Sequence, residues 1–244
     1  MGTEIDTLLE TYISDNRKHR SGGPWVMLNM ISSKNGLATL DGKSGALGGP
    51  EDKALFRTLR GLADVILVAA GTVRAENYSL PVITERTAQL RKSENKAPLP
   101  KIVILSNSLD LNPESPLFSN QEYQPMILTS TSSPKRQMMN RFKNAEISQI
   151  EGNQVNLEKV LPKLTERLGS IILVEGGPSL NQQLVDLDLF DELCITISPV
   201  CSSDKEAQKV TTAESYTSEE MVLDRSMHVG KFNFKRFLRM RQLR

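Results

Sequence analysis

The chain has 244 residues, enough for one large α/β domain or two small ones, and its 30 basic and 29 acidic side chains leave a net charge of +1. That balance argues against nucleic acid and against a charged membrane surface as partners, and no apolar run approaches the ~20 residues that a spanning helix needs. Two cysteines, Cys194 and Cys201, and two histidines, His19 and His228, show no CxxC or HxE spacing, so a metal-free, cytoplasmic protein is expected.

Residues 1–22 carry early acids and no long apolar stretch, which argues against a signal peptide and reads as an extension before a domain over 23–244. Trp25–Ile31 is the first predicted strand. Pro50 then opens a helix over Glu51–Leu62. Its fixed φ suits the first turn, Glu51 and Asp52 sit at the positive end, and Leu55, Leu59 and Leu62 form one apolar stripe. Arg57 and Arg60, three apart, share another face, which by default is solvated. Further strands are predicted at Val65–Ala70, Lys101–Leu105, Met126–Thr129, Ala145–Ile150, Ile171–Val174 and Leu193–Ser198, with helices at Pro134–Phe142, Leu157–Leu168 and Ser179–Leu187. This alternation predicts a mostly parallel sheet flanked by helices. Two strands with no helix between them, Glu220–Asp224 and Phe232–Met240, are expected to close it antiparallel. The polar stretches Thr84–Pro100 and Ser202–Ser218 read as mobile loops.

Two strand–glycine–helix junctions carry the chemical signal. In IILVEGGPSL (171–180) an apolar strand runs into Glu175, Gly176 and Gly177, and Pro178 starts a helix with Ser179 and Leu180. In AAGTVRAENY (69–78) a second strand leads to Gly71 and Thr72. Backbone N–H groups at such helix starts suit phosphate, and two adjacent junctions could flank one pyrophosphate. Neither is a GxGxxG or GxxxxGK[ST] loop, and each alone is also an ordinary turn that needs glycine. Glu175 is unusual there, because a carboxylate beside an anion site needs a reason.

The motifs NMISSKNG (29–36), SGALGGPEDKALFRTLR (44–60), ADVILVAAGTVRAENYSL (63–80), VILS (103–106) and VEGGPSL (174–180) together resemble the reductase domain of riboflavin biosynthesis. That is the reductase half of the bifunctional deaminase–reductase and its stand-alone relatives, which share the dihydrofolate reductase fold. The resemblance covers about residues 25–240, and no deaminase motif is present. It implies a dihydrofolate reductase-like, mixed, mostly parallel sheet. The implied activity is an NADPH-dependent oxidoreductase similar to 5-amino-6-(5-phosphoribosylamino)uracil reductase, which reduces the ribose of a ribosylaminopyrimidine 5′-phosphate to ribityl. A homodimer is also implied. Carried over residue by residue, the cofactor side is Ala46, Gly71, Thr72, Glu76 and the turn Gly176, Gly177, Pro178, Ser179 and Leu180. The substrate side is Ser44, Arg60, Leu80 and Glu175, with Arg60 expected at the substrate phosphate and Glu175 at the reacting carbon. Ser106, with Asn107, ends the strand where a 2′-phosphate would be read; both are also ordinary turn residues. In this fold the peptide joining such glycines is often cis, and Gly176–Gly177 is expected to be.

Three departures from the family pattern lie on the substrate side. Lys34-Asn35-Gly36 stands where Leu-Asp-Gly is usual, so Asn35 replaces a carboxylate. Pro81-Val82-Ile83 stands where an arginine usually follows the Leu80 position. Cys201-Ser202-Ser203-Asp204 replaces a glycine turn. Two alternatives therefore stay open. Asp52, early in its helix, would be the proton-donating acid of a dihydropteridine-type reductase; helix-start electrostatics also account for it. The chain would otherwise be an NADPH-binding protein that has lost catalysis.

Overall fold

The computed structural model describes residues 2–18, 22–133, 136–205, 207 and 221–240. In chain order these form α1 (Gly2–Ser14), β1 (Trp25–Ser32), α2 (Pro50–Leu62), β2 (Val65–Ala69), α3 (Ala70–Ala75), α4 (Glu85–Ser93), β3 (Lys101–Leu105) and α5 (Pro116–Ser119). They continue with β4 (Met126–Ser130), β5 (Glu146–Ile150), α6 (Leu157–Leu168), β6 (Ile171–Val174), α7 (Pro178–Asp186), β7 (Glu192–Ile197), β8 (Met221–Val229) and β9 (Phe232–Arg239). One nine-stranded sheet has the order β5-β4-β3-β2-β6-β1-β7-β9-β8. β1 to β7 pair parallel, and β9 pairs antiparallel with both β7 and β8, as the pattern predicts.

Each sheet face has its own apolar layer, because side chains alternate along a strand. Met27, Ile66, Ile104 and Leu173 face α1, α2 and α4, with Leu55, Leu59 and Leu62 of α2 buried against them. Val26, Val65, Val103 and Val174 face α6 and α7. β6 lies between β2 and β1, so the exits of these three strands are neighbours.

Three segments differ from expectation. Residues 2–14, within the expected extension, are a helix whose Leu8 and Tyr12 are fully buried in the first core layer. Thr84–Pro100 is not a loop: it contains α4, with Thr84 accepting the N-cap hydrogen bond from Thr87 N–H. Its polar sequence hid it, because a cation takes the place of an apolar anchor. The buried Arg91 guanidinium donates to the carbonyls of Gly61, Ala63 and Ala97, closing the C-terminal end of α2. Gly61 permits this close approach, since a Cβ there would lie 2.0 Å from Thr87 Oγ1. Within the predicted helix Pro134–Phe142, the described part is a 3-10 turn, Arg136–Arg141. Most of the Ser202–Ser218 stretch lies outside the described residues.

Candidate active site

The two glycine junctions meet. Ala69 N–H, at the end of β2, donates to Gly176 O at 2.8 Å, and Glu175 N–H donates to Leu67 O at 3.1 Å. The Gly176–Gly177 peptide is cis, as expected. A Cβ on Gly177 would lie 2.9 Å from Thr72 Oγ1, so the turn packs directly on the start of α3. Pro178 and Ser179 are exposed at the start of α7, Gly71 is exposed, and Leu180 is buried behind them. One turn into α7, the buried Asn181 has an amide oxygen with no hydrogen-bond partner among the described residues.

Alternation along β6 turns Glu175 toward α2. Its carboxylate receives Arg60 Nε on Oε1 and Arg60 Nη2 on Oε2, both at 2.7 Å, and the hydroxyl of Tyr78 also on Oε2. Parallel N–H bonds of this kind are the strongest geometry a guanidinium offers a carboxylate. Arg60 also lies 4.1 Å from the centroid of the Phe56 ring and 5.4 Å from that of Tyr78. Burial opposes its charge, but Glu175 more than offsets this, and Arg60 is held firmly protonated. Burial, then Glu175, push the Tyr78 hydroxyl well above its ordinary range, so it is a neutral donor. Arg60 is thus not on a solvated face; Arg57 is.

The remaining expected site residues divide. Ser44 donates both its N–H and its hydroxyl to Glu76 Oε1, at 3.0 and 2.8 Å, tying the loop after β1 to the end of α3. Ala46 is exposed in that loop, and Leu80 is half-buried two residues after Tyr78. Asp52 is half-buried, and burial raises its carboxyl pKa against the opposing influence of Thr196 and Lys53. It forms no cap: the N-cap residue, Gly49, has no side-chain hydrogen bond. Asn35 has a structural partner instead of an open amide. Its Oδ1 accepts from Ser202 N–H and its Nδ2 donates to Ser202 O, both at 2.9 Å. Two departures from the family pattern therefore bond to each other. Ser106 is buried and accepts Leu109 N–H in its own turn, at 3.0 Å, which is the ordinary turn role. Tyr78 and Phe56 were missed as site residues. Neither periodicity nor spacing marks them, and only the fold brings them to Arg60.

Residues 24–231 match the family described as RibD C-terminal domain. The chain belongs to that family. It is 26% identical over 194 residues to the 2,5-diamino-6-ribosylamino-4(3H)-pyrimidinone 5′-phosphate reductase of Archaeoglobus fulgidus, covering 79% of this chain and 88% of that protein. A pyrimidine reductase-like protein of Corynebacterium diphtheriae superposes with a TM-score of 0.77 at 29% identity, covering 88% of this chain and 92% of that one. The riboflavin biosynthesis reductase Rib7 of Saccharomyces cerevisiae shares the fold, with a TM-score of 0.68 at 18% identity over 97% and 99% of the two chains. The RibD-type sheet, mixed and mostly parallel with flanking helices, is therefore the architecture of this chain. Among its described residues no helix is long and apolar enough to cross a membrane, and no group of three His, Cys, Asp or Glu could hold a metal ion.

Proposed function

We propose that this protein is an NADPH-dependent reductase that converts the ribose of a ribosylaminopyrimidine 5′-phosphate to a ribityl chain in riboflavin biosynthesis. The observation that carries this is the Glu175–Arg60–Tyr78 cluster lying one peptide from the paired glycine turn. It sets a fixed carboxylate beside a phosphate-binding junction.

The residues present suit the dinucleotide. Gly177 and Thr72 leave no room for a side chain between the two junctions, Gly71 is open, and the unfilled Asn181 oxygen marks a polar position beside the turn. Gly71, Thr72, Glu76, Ala46 and the Gly176–Leu180 turn would hold NADPH, which supplies the hydride when bound. Glu175, immobilised by Arg60 and Tyr78, orients the sugar by accepting a hydrogen bond, and Ser44 and Leu80 line the substrate side. The sugar carbon that accepts hydride is imine-like once the ribosylamine ring opens. A fixed anion nearby favours that electron-poor carbon and its orientation. The protein works in the cytoplasm as a homodimer, by analogy with its family.

NADPH oxidation with the ribosylaminopyrimidine phosphate tests the reading directly. Glu175→Gln is expected to lower kcat ~10-fold or more, since a charged hydrogen-bond partner is lost, while NADPH still raises the Tm. Loss of the fold would return Glu175 to a structural role. One observation favours a second reading: Asp52, in the first turn of α2, is an acid whose carboxyl pKa burial raises, as a dihydropteridine reductase needs. Turnover of dihydrofolate but not of the pyrimidine would establish it, and NADPH binding without any turnover would establish a silent binding protein.

A further inference from the structure

The loop between β1 and α2, residues 33–49, is pinned at three places. Beside the exit of β7, Lys34 N–H donates to Val200 O at 2.8 Å and Ser202 Oγ donates to Thr39 O at 2.6 Å. There too, Asp204 Oδ2 accepts from Thr39 Oγ1 and Gly42 N–H, at 2.7 and 2.9 Å. Farther along, Ser44 donates twice to Glu76 at the end of α3, and Leu47 O accepts from the Ser198 hydroxyl at 2.8 Å. α3 follows β2, Ser198 follows β7, and β6 and β1 lie between those strands in the sheet. Residues 44–47 thus form a strap from the β2 side to the β7 side. The exits of β6 and β1, with Glu175 at the first, lie between its two anchors.

At the root of the strap, the partners of Asn35 admit its amide in one orientation. Its Oδ1 accepts from Ser33 Oγ and from Ser202 N–H, and its Nδ2 donates to Ser202 O, all at 2.9 Å. Two donors face the oxygen and an acceptor faces the nitrogen, so turning the amide over would break all three bonds. A carboxylate fits no better, because it sets an anionic oxygen against the Ser202 carbonyl where a donor is needed. Asn35 itself is exposed, so these bonds, not burial, fix it. Ser202 is 5% exposed and uses every polar group it has. Its N–H and carbonyl go to Asn35, and its hydroxyl donates to Thr39 O and accepts from Asp204 N–H at 3.1 Å.

We propose that Asn35 and Ser202 are the positioning pair of the reductase site: they hold the strap against the β7 loop, so that Ser44 meets the sugar beside Glu175. The inference rests on the reductase reading above and deepens it. Ser44 gives both its donors to Glu76, and its hydroxyl oxygen can still accept from a sugar hydroxyl. A strap released at its root leaves that oxygen unplaced, and a shift of about 1 Å in a positioning group is enough to cost rate. The amide at position 35 is therefore not a carboxylate lost. It and Ser202, two departures from the family pattern, compensate each other. Restoring the usual aspartate to this chain harms it.

The test follows NADPH oxidation by the full-length protein with 2,5-diamino-6-ribosylamino-4(3H)-pyrimidinone 5′-phosphate. Asn35→Asp, which exchanges the amide nitrogen for an oxygen, is expected to raise KM for the pyrimidine ~10-fold with kcat changed less, while NADPH still raises the Tm. Ser202→Ala cuts the tether from the other side by removing the donor to Thr39 O, and should move KM in the same direction. Each is then combined with Ser44→Ala. The losses in kcat/KM should fall well short of adding, because the pair acts through Ser44; a purely structural pair would give additive losses. If Asn35→Asp fails to fold, the Ser202→Ala cycle decides alone. Unchanged kinetics in a folded Asn35→Asp, or additive losses in the cycle, overturn the proposal and leave the reductase reading intact. No turnover by the unaltered protein overturns that reading, and this inference with it.

Discussion

Arg60 shows how far a side chain's role depends on what packs around it. Three residues from Arg57 on a charged helix, it has the sequence context of a solvated cation. In the fold its side chain is 11% exposed and bound to a carboxylate that is 3% exposed. As a two-pronged clamp on Glu175, it has two donors already occupied, which shifts its expected work from gripping the substrate phosphate to fixing Glu175. Arg60→Lys keeps the charge but loses the parallel bonds and the flat stacking on Phe56. Steady-state kinetics should then show kcat down ~10-fold with KM little changed; a phosphate ligand would show the reverse split. Asn35 and Ser106 make the same point from the other side. Each carries a side chain able to bind a ligand, and in the structure each is occupied by backbone: Asn35 by Ser202 of a distant loop, and Ser106 by Leu109 in its own turn.

At the scale of elements, legibility followed the hydrophobic pattern. Most strands and α2, α6 and α7 carry apolar runs or stripes, and their positions agree with the sequence to within a few residues; β8, mostly exposed, runs on to Val229, well past the expected end at Asp224. α4 carries almost none, so its only sequence signals were weak: Thr84 as a cap and basic residues in the last turn. What holds it is Arg91, buried and donating to three backbone carbonyls at the end of α2. Arg91→Ala strands those acceptors without water. Urea denaturation is expected to show a loss of about 2–4 kcal/mol, larger than a surface substitution would give. The substitution should also loosen α2 at its C-terminal end, one turn from Arg60, so a fall in kcat without a change in the NADPH-induced Tm shift would accompany it.

Across the whole molecule, stability and chemistry occupy opposite ends of the sheet. The strand exits carry the candidate site, whereas the starts of β1 and β7 carry a buried charge cluster. Glu192, fully buried, accepts from Arg17 Nε at 2.9 Å, Arg236 Nε at 2.7 Å and the Trp25 indole N–H at 2.8 Å. Arg17 also donates to Tyr12 O, which joins α1 to this cluster. Burial alone would raise the Glu192 pKa, but Arg17 and Arg236 outweigh it and hold the carboxyl well below its ordinary range. A depressed folded-state pKa stabilises the protein above the unfolded value, about 4.3 for Glu, and that contribution is lost as the pH falls from there toward the folded value. Glu192→Gln leaves two buried cations facing each other and should cost about 3–5 kcal/mol at pH 7. Denaturation at pH 7 and pH 3 should show the gap between the two proteins narrowing in acid; a gap independent of pH would remove the carboxylate from the account. Trp25, at the start of β1, lies at the end of the sheet away from the glycine turn, so thermal shift is a better report of NADPH than its fluorescence.

The sequence by itself determined the alternation of strands and helices, the antiparallel closure and the two glycine junctions. Periodicity and turn chemistry are local, and these features need nothing else. It also marked Glu175 as a charge in need of a reason. Only the tertiary structure decided what answers that charge. Arg60 is 115 residues away in sequence and Tyr78 is 97, and they reach Glu175 because β6 is inserted between β2 and β1. Strand order is set by long-range burial, and no local pattern carries it.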